Sequence, residues 1–473
     1  MKKIICGLIL VSFVITIKAQ ENNSFSEPLK VISAWLEGQK DYKNIPGISA
    51  GIVIDQDLIW SDGFGYSDLD LKIQTTDSTI YSICSISKLF TSIAIMQLRD
   101  LGKLDLDDSI NEHLPWYNIE QAHPESAPVT IRSILTHSSG LPRESDYPYW
   151  TDPSFPFPKR EQLKDKLSDQ ETLYPASTYY QYSNLGLSLL GEIVIEISGL
   201  SFEDYVYEKI LNPLGLEDTR PELPESLRKG QLATGYSVES RKGSRDELEF
   251  FQARAVAPAA GFSSNVKDLA KFASWQFKSL EDIESPVLNG NTLREMQRVH
   301  WMDPDWDVSR GLGFGVSELD NMSIVGHSGG CPGYLTNLRL IPKKKWAFIV
   351  MVNGLGINTY QYVEGMYNIL KSYENEKIEE NQLEIKLNEF CGPYYDFWGG
   401  ESIFVPWKGK LAEFYLRISV PKKPVSTYKH IKGDVFRRIR DDGSLGEELK
   451  FERNEEGKVT RYWQHSQYTK KIN

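Results

Sequence analysis

The segments most typical of β-strands lie at both ends of residues 46–353, and those most typical of helices lie between them. Residues 46–56 are rich in β-branched side chains, which predicts a buried strand that pairs with a second strand at 58–65. Further strands are predicted close together at 322–327, 334–342 and 346–353. We expect the first and last strands to share one antiparallel sheet, which is an α/β (α+β) arrangement.

Apolar side chains recur at helical spacing in the middle of this region. The predicted helices cover residues 85–101, 129–137, 184–197 and 265–277, and a last one covers about 359–373. The segment 184–197 is apolar nearly all round, which is typical of a buried helix. The helices are therefore expected to cover the sheet.

The length of 473 residues suggests two or three domains. Residues 374–386 are charged and polar and predict a linker. From 387 to 473 the chain shows short alternating runs broken by glycine, proline and Asp-Gly, which is typical of a small all-β domain.

The first 19 residues have the order of a secretory signal peptide, with two lysines, an apolar run from 4 to 17 and a small residue at Ala19. Cleavage after Ala19 would leave a main domain at residues 20–373. The apolar run is shorter than the roughly 20 residues that a spanning helix needs, although an uncleaved membrane anchor is an alternative. We expect a secreted or periplasmic protein without a membrane span after cleavage.

Composition argues against several classes of protein. The net charge of −12 disfavours a nucleic-acid-binding protein, because contact with phosphates needs a basic face. The seven histidines include no HxH or HExxH pattern, and no two cysteines have the spacing of a zinc knuckle. No metal or cofactor is therefore predicted, and the expected partner is a small-molecule or peptide substrate.

A serine and a lysine lie one helical turn apart in Ser85-Ile86-Ser87-Lys88. At positions i and i+3 they share a helix face, so the amine can reach the hydroxyl. A serine nucleophile needs such a base, and burial must lower the lysine pKa before it can act as one.

The SxxK pattern alone is weak, since it occurs five times, beginning at Ser85, Ser226, Ser264, Ser419 and Ser426. Two further motifs single out the first. Tyr182-Ser183-Asn184 precedes the buried helix, and residues 326–330 (GHSGG) end a predicted strand. The order SxxK, YxN and HxG is the pattern of one superfamily of serine enzymes.

On these motifs the chain resembles the serine β-lactamase and penicillin-binding superfamily, in particular its class C β-lactamase, DD-peptidase and esterase branch. The phrases PGISAGIV, ILTHSSGLP, PASTYYQYSN, PAAGFSSNVKDLAKF and GHSGGCPGY agree, and the resemblance covers about residues 30–370. Residues 387–473 are similar to the small lipocalin-like β-domains that follow some members. The resemblance implies a hydrolase that forms an acyl-enzyme.

The same resemblance implies roles for individual residues. Ser85 would be the nucleophile, Lys88 the base, and Tyr182 a proton shuttle whose pKa a neighbouring cation such as Lys88 lowers. Asn184 would hydrogen-bond Lys88 and the substrate, and His327 would orient Tyr182 or a substrate carboxylate. Other implied positions are the oxyanion donors Ser85 and Gly330 and the substrate-binding Ser328 and Gly329. His137 in LTHSSG is interpreted separately, as a structural residue that caps the end of the preceding helix.

Histidine stands at 327 where many members have the lysine of KTG, and it lacks a permanent charge. This weakens the β-lactamase interpretation and favours an esterase or a D-specific peptidase. If a neutral His327 or Lys88 is needed, activity should fall below about pH 6.

Residues 143–159 are rich in proline and aromatic side chains and predict a loop at the pocket mouth. Its Tyr149 and Trp150 are candidate substrate-binding residues. Two further alternatives remain open for the whole chain, namely a penicillin-binding or β-lactamase-type protein and a slowly deacylating cell-wall sensor.

Overall fold

The computed structural model describes residues 25–282, 284–378 and 386–472. Contacts group the described residues into two compact units, one within 44–359 and one formed by those of 25–43 and 360–472. The predicted signal segment 1–19 and the greater part of the predicted linker 374–386 lie outside the described residues.

A nine-stranded antiparallel sheet forms the centre of the larger unit. Its first long strand, β1 (Gly47–Ile54), pairs antiparallel with the last, β11 (Trp346–Val352), so the prediction of one shared sheet is confirmed. The other strands of this unit are β2 (Asp57–Asp68), β3 (Ile73–Gln74), β4 (Tyr81–Ser82), β5 (Ser263–Ser264), β6 (Trp301–Met302), β7 (Ser309–Arg310), β8 (Gly315–Leu319), β9 (Met322–Cys331) and β10 (Tyr334–Ile341). The sheet order is β3-β2-β1-β11-β10-β9-β8-β7-β6, and β4 and β5 pair separately.

Helices fill the sequence between β4 and β6. Helix α1 (Ser26–Tyr42) precedes the larger unit in sequence. The helices of the larger unit are α2 (Ser87–Asp100), α3 (Ile110–His113), α4 (Ile131–Leu135), α5 (Arg160–Asp165), α6 (Asn184–Ser198), α7 (Phe202–Val206), α8 (Asn212–Leu214), α9 (Ala257–Ala260), α10 (Val266–Glu281) and α11 (Gly290–Met296). The last helix is α12 (Tyr360–Asn375). The mixed fold class predicted from the sequence is confirmed.

Local sequence explains how two of these helices are placed. Ser183 caps α6, because its side chain accepts the N–H of Gly186, and this sets Asn184 on the first turn. Asn265 caps α10 in the same way, through the N–H of Asp268. Helix α10 lies close against β1 at Gly51, where a Cβ would come within 2.4 Å of Val266 Cγ1.

The smaller unit contains a closed eight-stranded barrel. Its strands are β12 (Gly392–Asp396), β13 (Gly400–Trp407), β14 (Lys410–Tyr415), β15 (Ser426–Lys432), β16 (Val435–Ile439), β17 (Leu445–Arg453), β18 (Val459–Gln464) and β19 (Gln467–Lys471). Its interior is filled largely by aromatic rings, among them Tyr394, Phe404 and Phe451, which lie 5.2–6.1 Å apart by ring centroids. The predicted C-terminal β-domain is therefore a packed barrel.

Helices α1 and α12 belong to the smaller unit, whereas the sequence prediction placed both in the first domain. Hydrogen bonds explain this for α1: Trp35 Nε1 donates to the carbonyl of Ile418 at 2.8 Å, and Gln39 Nε2 donates to that of Leu416 at 2.7 Å. For α12, the ring of Tyr373 packs edge-on against Trp407.

In the described part of the chain, no individual helix has both the length and the apolar character to cross a membrane. The bent pair Asn184–Ser198 and Phe202–Leu214 passes the same test jointly, by length and composition.

Candidate active site

Ser85 lies in a one-turn 3₁₀ helix, Cys84–Ile86, that leads directly into α2. The turn begins with a left-handed residue, since Cys84 has a φ of 51°. Two contacts of Ser87 hold the turn in place: its hydroxyl donates to the carbonyl of Cys84 and accepts the N–H of Phe262. Ser85 itself is half-buried at the start of the helix.

Lys88 is fully buried one turn further on. Its Nζ donates to Ser85 Oγ at 3.3 Å, to Asn184 Oδ1 at 2.7 Å and to the carbonyl of Ala259 at 2.7 Å. Burial lowers the pKa of Lys88 to about 7, and the negative charge of Glu144 opposes that shift. A large fraction of the lysine is therefore neutral near pH 7, as a base requires.

Two basic side chains approach the ring of Tyr182, with Lys88 Nζ 4.8 Å and the Arg143 guanidinium 4.9 Å from its centre. An interaction with the Ser85 side chain favours the ionised form of the Tyr182 hydroxyl. Burial nevertheless raises the pKa of Tyr182 above its ordinary value, whereas the sequence analysis expected a neighbouring cation to lower it. Tyr182 is thus a neutral hydroxyl at neutral pH, because desolvation outweighs the nearby positive charges.

His137 also contacts Tyr182, a contact that the sequence analysis missed. The two rings are 4.3 Å apart, and His137 Nδ1 accepts the N–H of Ser183 at 3.2 Å. Burial and the charge of Lys88 hold the pKa of His137 well below its usual range. His137 is therefore a neutral ring that fixes the position of the Tyr182-Ser183-Asn184 segment.

Asn184 connects Lys88 to a carboxylate that the sequence analysis did not identify. Its Nδ2 donates to Glu144 Oε1 at 2.7 Å, and the hydroxyl of Tyr149 donates to Glu144 Oε2. Glu144 lies four residues after Gly140 in an irregular segment, where no periodicity marks it. Its position two residues after the motif-like phrase ILTHSSGLP is the one sequence feature that could have identified it.

The prediction that Tyr149 lines the pocket mouth needs correction. Residues 143–159 contain no regular element, as expected of a loop, but the side chain of Tyr149 is only 1% exposed. Its ring packs 4.9 Å from Phe157, because aromatic side chains in this segment form a common core. Trp150 is partly buried against the same two rings, so its contact with substrate stays a prediction.

His327 is buried on β9 with its ring centre 6.3 Å from that of Tyr182. Its Nδ1 lies 2.6 Å from the carbonyl of Ser328, which can only accept, so Nδ1 carries the hydrogen. Burial and the charges of Lys88 and Arg310 hold the pKa of His327 well below its usual range. The ring is therefore neutral, and its Nε2 is an acceptor.

Strand β9 runs directly against the nucleophile turn because of Gly329. A Cβ at this position would lie 2.2 Å from the carbonyl oxygen of Ile83 and 2.9 Å from Cys84 Cβ. The neighbouring strand is tied to the same turn, since Thr336 Oγ1 donates to the Ile83 carbonyl at 3.1 Å. Ser328 and Gly330 are exposed on either side of Gly329.

The arrangement brings together a nucleophile, a base that can be neutral, a neutral hydroxyl and a glycine-rich strand edge. These are the groups that acyl transfer requires. Across residues 25–282, 284–378 and 386–472, no group of three or more His, Cys, Asp or Glu side chains is placed to hold a metal ion.

Comparison with known proteins agrees with this geometry. The family model described as Beta-lactamase matches residues 32–369. The chain is 27% identical over 339 residues to "Unguisins hydrolase ungD'" of Aspergillus campestris, covering 70% of this chain, and 24% identical over 332 residues to "Protein flp" of Staphylococcus aureus strain MW2, covering 68%. The alignments span 62% of the length of both curated relatives.

Solved structures share the fold. The octameric penicillin-binding protein homologue from Pyrococcus abyssi has a TM-score of 0.64 at 23% identity, covering 93% of this chain and 99% of that one. The D-amino acid amidase from Ochrobactrum anthropi SV3 has a TM-score of 0.62 at 22% identity, covering 74% of this chain and 100% of that one. At these identities the likeness concerns the fold.

Gly329→Ala should displace β9 from the nucleophile turn, because the new methyl group meets backbone atoms that cannot give way. We expect ester hydrolysis to fall by about 100-fold, as for a misplacement of about 1 Å. Gly230→Ala is the control, since its nearest atom is 3.4 Å away. Equal activity of both variants would contradict the close approach of β9.

Proposed function

The chain belongs to the beta-lactamase family, and we propose that it is a serine hydrolase that cleaves an ester or amide bond through an acyl-enzyme on Ser85. One observation carries the proposal: the fully buried Lys88, with a pKa of about 7, lies 3.3 Å from Ser85 Oγ. A lysine in this state can take the serine proton at neutral pH.

In the first step Ser85 Oγ attacks the substrate carbonyl while its proton passes to Lys88. The backbone N–H groups of Ser85 and Gly330 stabilise the oxyanion. Lys88 gives this proton to the Tyr182 hydroxyl as that hydroxyl passes its own proton to the leaving group, which departs as an alcohol or amine. Water then attacks the acyl carbonyl and gives one proton to Lys88, and Lys88 returns that proton to Ser85 Oγ when the ester bond breaks and the acid is released.

The substrate class proposed is a small ester or a peptide amide, with D-configured amides the leading candidates. One solved neighbour is a D-amino acid amidase, and one relative is named a hydrolase of unguisins. Neutral His327 in place of the KTG lysine offers a substrate carboxylate no charge, which makes penicillin cleavage the weaker candidate.

The nucleophile is tested with Ser85→Ala and a small activated ester, with the intact mass recorded during turnover. Product release should fall by about 10⁴-fold or more in the variant, and wild type should carry a transient acyl mass. Ser226→Ala is the matched control, because Ser226 begins another SxxK segment at the surface. Unchanged release in Ser85→Ala would refute the proposal, whereas one equivalent of product without turnover would indicate a slowly deacylating sensor.

The pKa of Lys88 predicts the pH dependence. Since only the neutral amine accepts a proton, kcat/KM should fall about tenfold per pH unit below a midpoint near pH 7. Because the pKa of His327 is held well below its usual range, the loss of activity at acidic pH should reflect the protonation of Lys88. Lys88→Arg, which stays charged, should be inactive; a flat wild-type profile from pH 5 to 9 would contradict the assignment.

We also propose that residues 1–19 direct export and are removed, a proposal supported by their order of charged, apolar and small residues. Protein recovered from outside the cytoplasm should begin at Gln20. An intact mass that retains Met1–Ala19 would favour the uncleaved anchor.

A further inference from the structure

We propose that Glu144 is a positioning residue that fixes the orientation of the Asn184 amide and supplies a negative charge near Lys88. The proposal deepens the function proposed above and rests on it, because it concerns the base of the same acylation step. Glu144 makes no direct hydrogen bond to Lys88 and acts through Asn184 and through its charge.

A continuous series of hydrogen bonds connects Ser85 to Glu144 in the loop of residues 143–159. Lys88 Nζ donates to Asn184 Oδ1 at 2.7 Å, and Asn184 Nδ2 donates to Glu144 Oε1 at 2.7 Å. Asn184 is 3% exposed, and the Glu144 side chain is 20% exposed, so both are largely shielded from water. Competing water therefore has little access to this chain of hydrogen bonds.

The Lys88 amine and the Glu144 carboxylate together determine the orientation of the Asn184 side-chain amide between them. A charged lysine can only donate, which selects the oxygen of Asn184, whereas a carboxylate can only accept, which selects its NH₂ group. When Lys88 loses its proton it no longer enforces that choice, but Glu144 still does. The carboxylate thus keeps Asn184 in one orientation through the part of the cycle in which Lys88 is neutral.

The carboxylate is itself held from several sides. The hydroxyl of Tyr149 donates to Oε2, and Arg143 Nε lies 3.3 Å from Oε1. The loop backbone is held as well. Gln170 Nε2 donates to the backbone carbonyl of Glu144 at 2.9 Å, and the backbone N–H of Asn184 donates to the backbone carbonyl of Arg143 at 2.7 Å. The hydroxyl of the buried Tyr149 is therefore used to hold the Glu144 carboxylate in place and not to bind a substrate.

The charge of Glu144 also acts on Lys88 among several opposing groups. Burial and Arg143 favour the neutral amine, whereas Glu144, Cys331 and Cys84 favour the charged one. The titratable and charged groups around Lys88 are Cys84 on the nucleophile turn, His137 after α4, Arg143 and Glu144 on the loop, Tyr182 before α6, Arg310 on β7, and His327 and Cys331 on β9. Both histidines are held neutral, and Glu144 makes the largest of the contributions that favour the charged amine.

The test measures the rate of acyl-adduct formation by intact mass, from pH 5 to 9.5, in Glu144→Gln. Removing the negative charge should move the midpoint of the acid limb down by about one pH unit. At pH 9, where Lys88 is neutral in both enzymes, the rate should fall by about tenfold, because a glutamine amide accepts either orientation of Asn184. A purely structural role would lower the rate equally at all pH values.

Asp146→Asn is the matched control, since Asp146 lies two residues away with its side chain 67% exposed and the substitution removes the same charge. Its profile should coincide with that of wild type. An unmoved acid limb in Glu144→Gln, or the same displacement in Asp146→Asn, would overturn the proposal. Absence of any acyl adduct on wild type would instead refute the proposed function.

Glu144→Asp keeps the test decisive if the glutamine variant does not fold. The shorter side chain retains the charge but draws the carboxylate away from Asn184. The midpoint of the acid limb should stay at its wild-type pH, while the rate of acyl-adduct formation at pH 9 falls. An unchanged rate at pH 9 in a folded Glu144→Asp protein would overturn the proposal.

Discussion

The arrangement of the site depends on one lysine that is removed completely from water. A buried ammonium group is costly unless it is hydrogen-bonded or gives up its proton, and Lys88 is placed so that both are possible. Three oxygens accept from its Nζ in the charged state, one of them the hydroxyl of Ser85. Because the pKa of Lys88 is about 7, the same residue can serve as a base at neutral pH.

The surroundings of Lys88 are arranged around that requirement. His137 and His327 are both buried nearby, and the positive charge of Lys88 helps to keep each of them neutral. Gly329 brings β9 against the nucleophile turn, and the Ser183 cap places Asn184 where its oxygen meets the amine. The three partners of the buried amine therefore come from the nucleophile turn, α6 and α9.

Sequence reasoning predicted the parts that follow from local pattern. The strands around residues 50 and 350, the buried helix after Tyr182 and the C-terminal β-domain all follow from periodicity and turn residues, and the structure confirms them. Glu144 was missed, and Tyr149 was placed at the pocket mouth, because the irregular loop that carries them has no period to show which side chains turn inward. The raised pKa of Tyr182 likewise depends on burial, which spacing does not report.

The central claim is that Lys88 is neutral in much of the folded protein at pH 7. The most direct measurement is an NMR titration of the Lys88 side chain in the full-length protein, with ¹³C-labelled lysine and Lys88→Arg to assign the signal. The account predicts a titration midpoint near pH 7. A midpoint near the ordinary lysine value of 10.5 would contradict it.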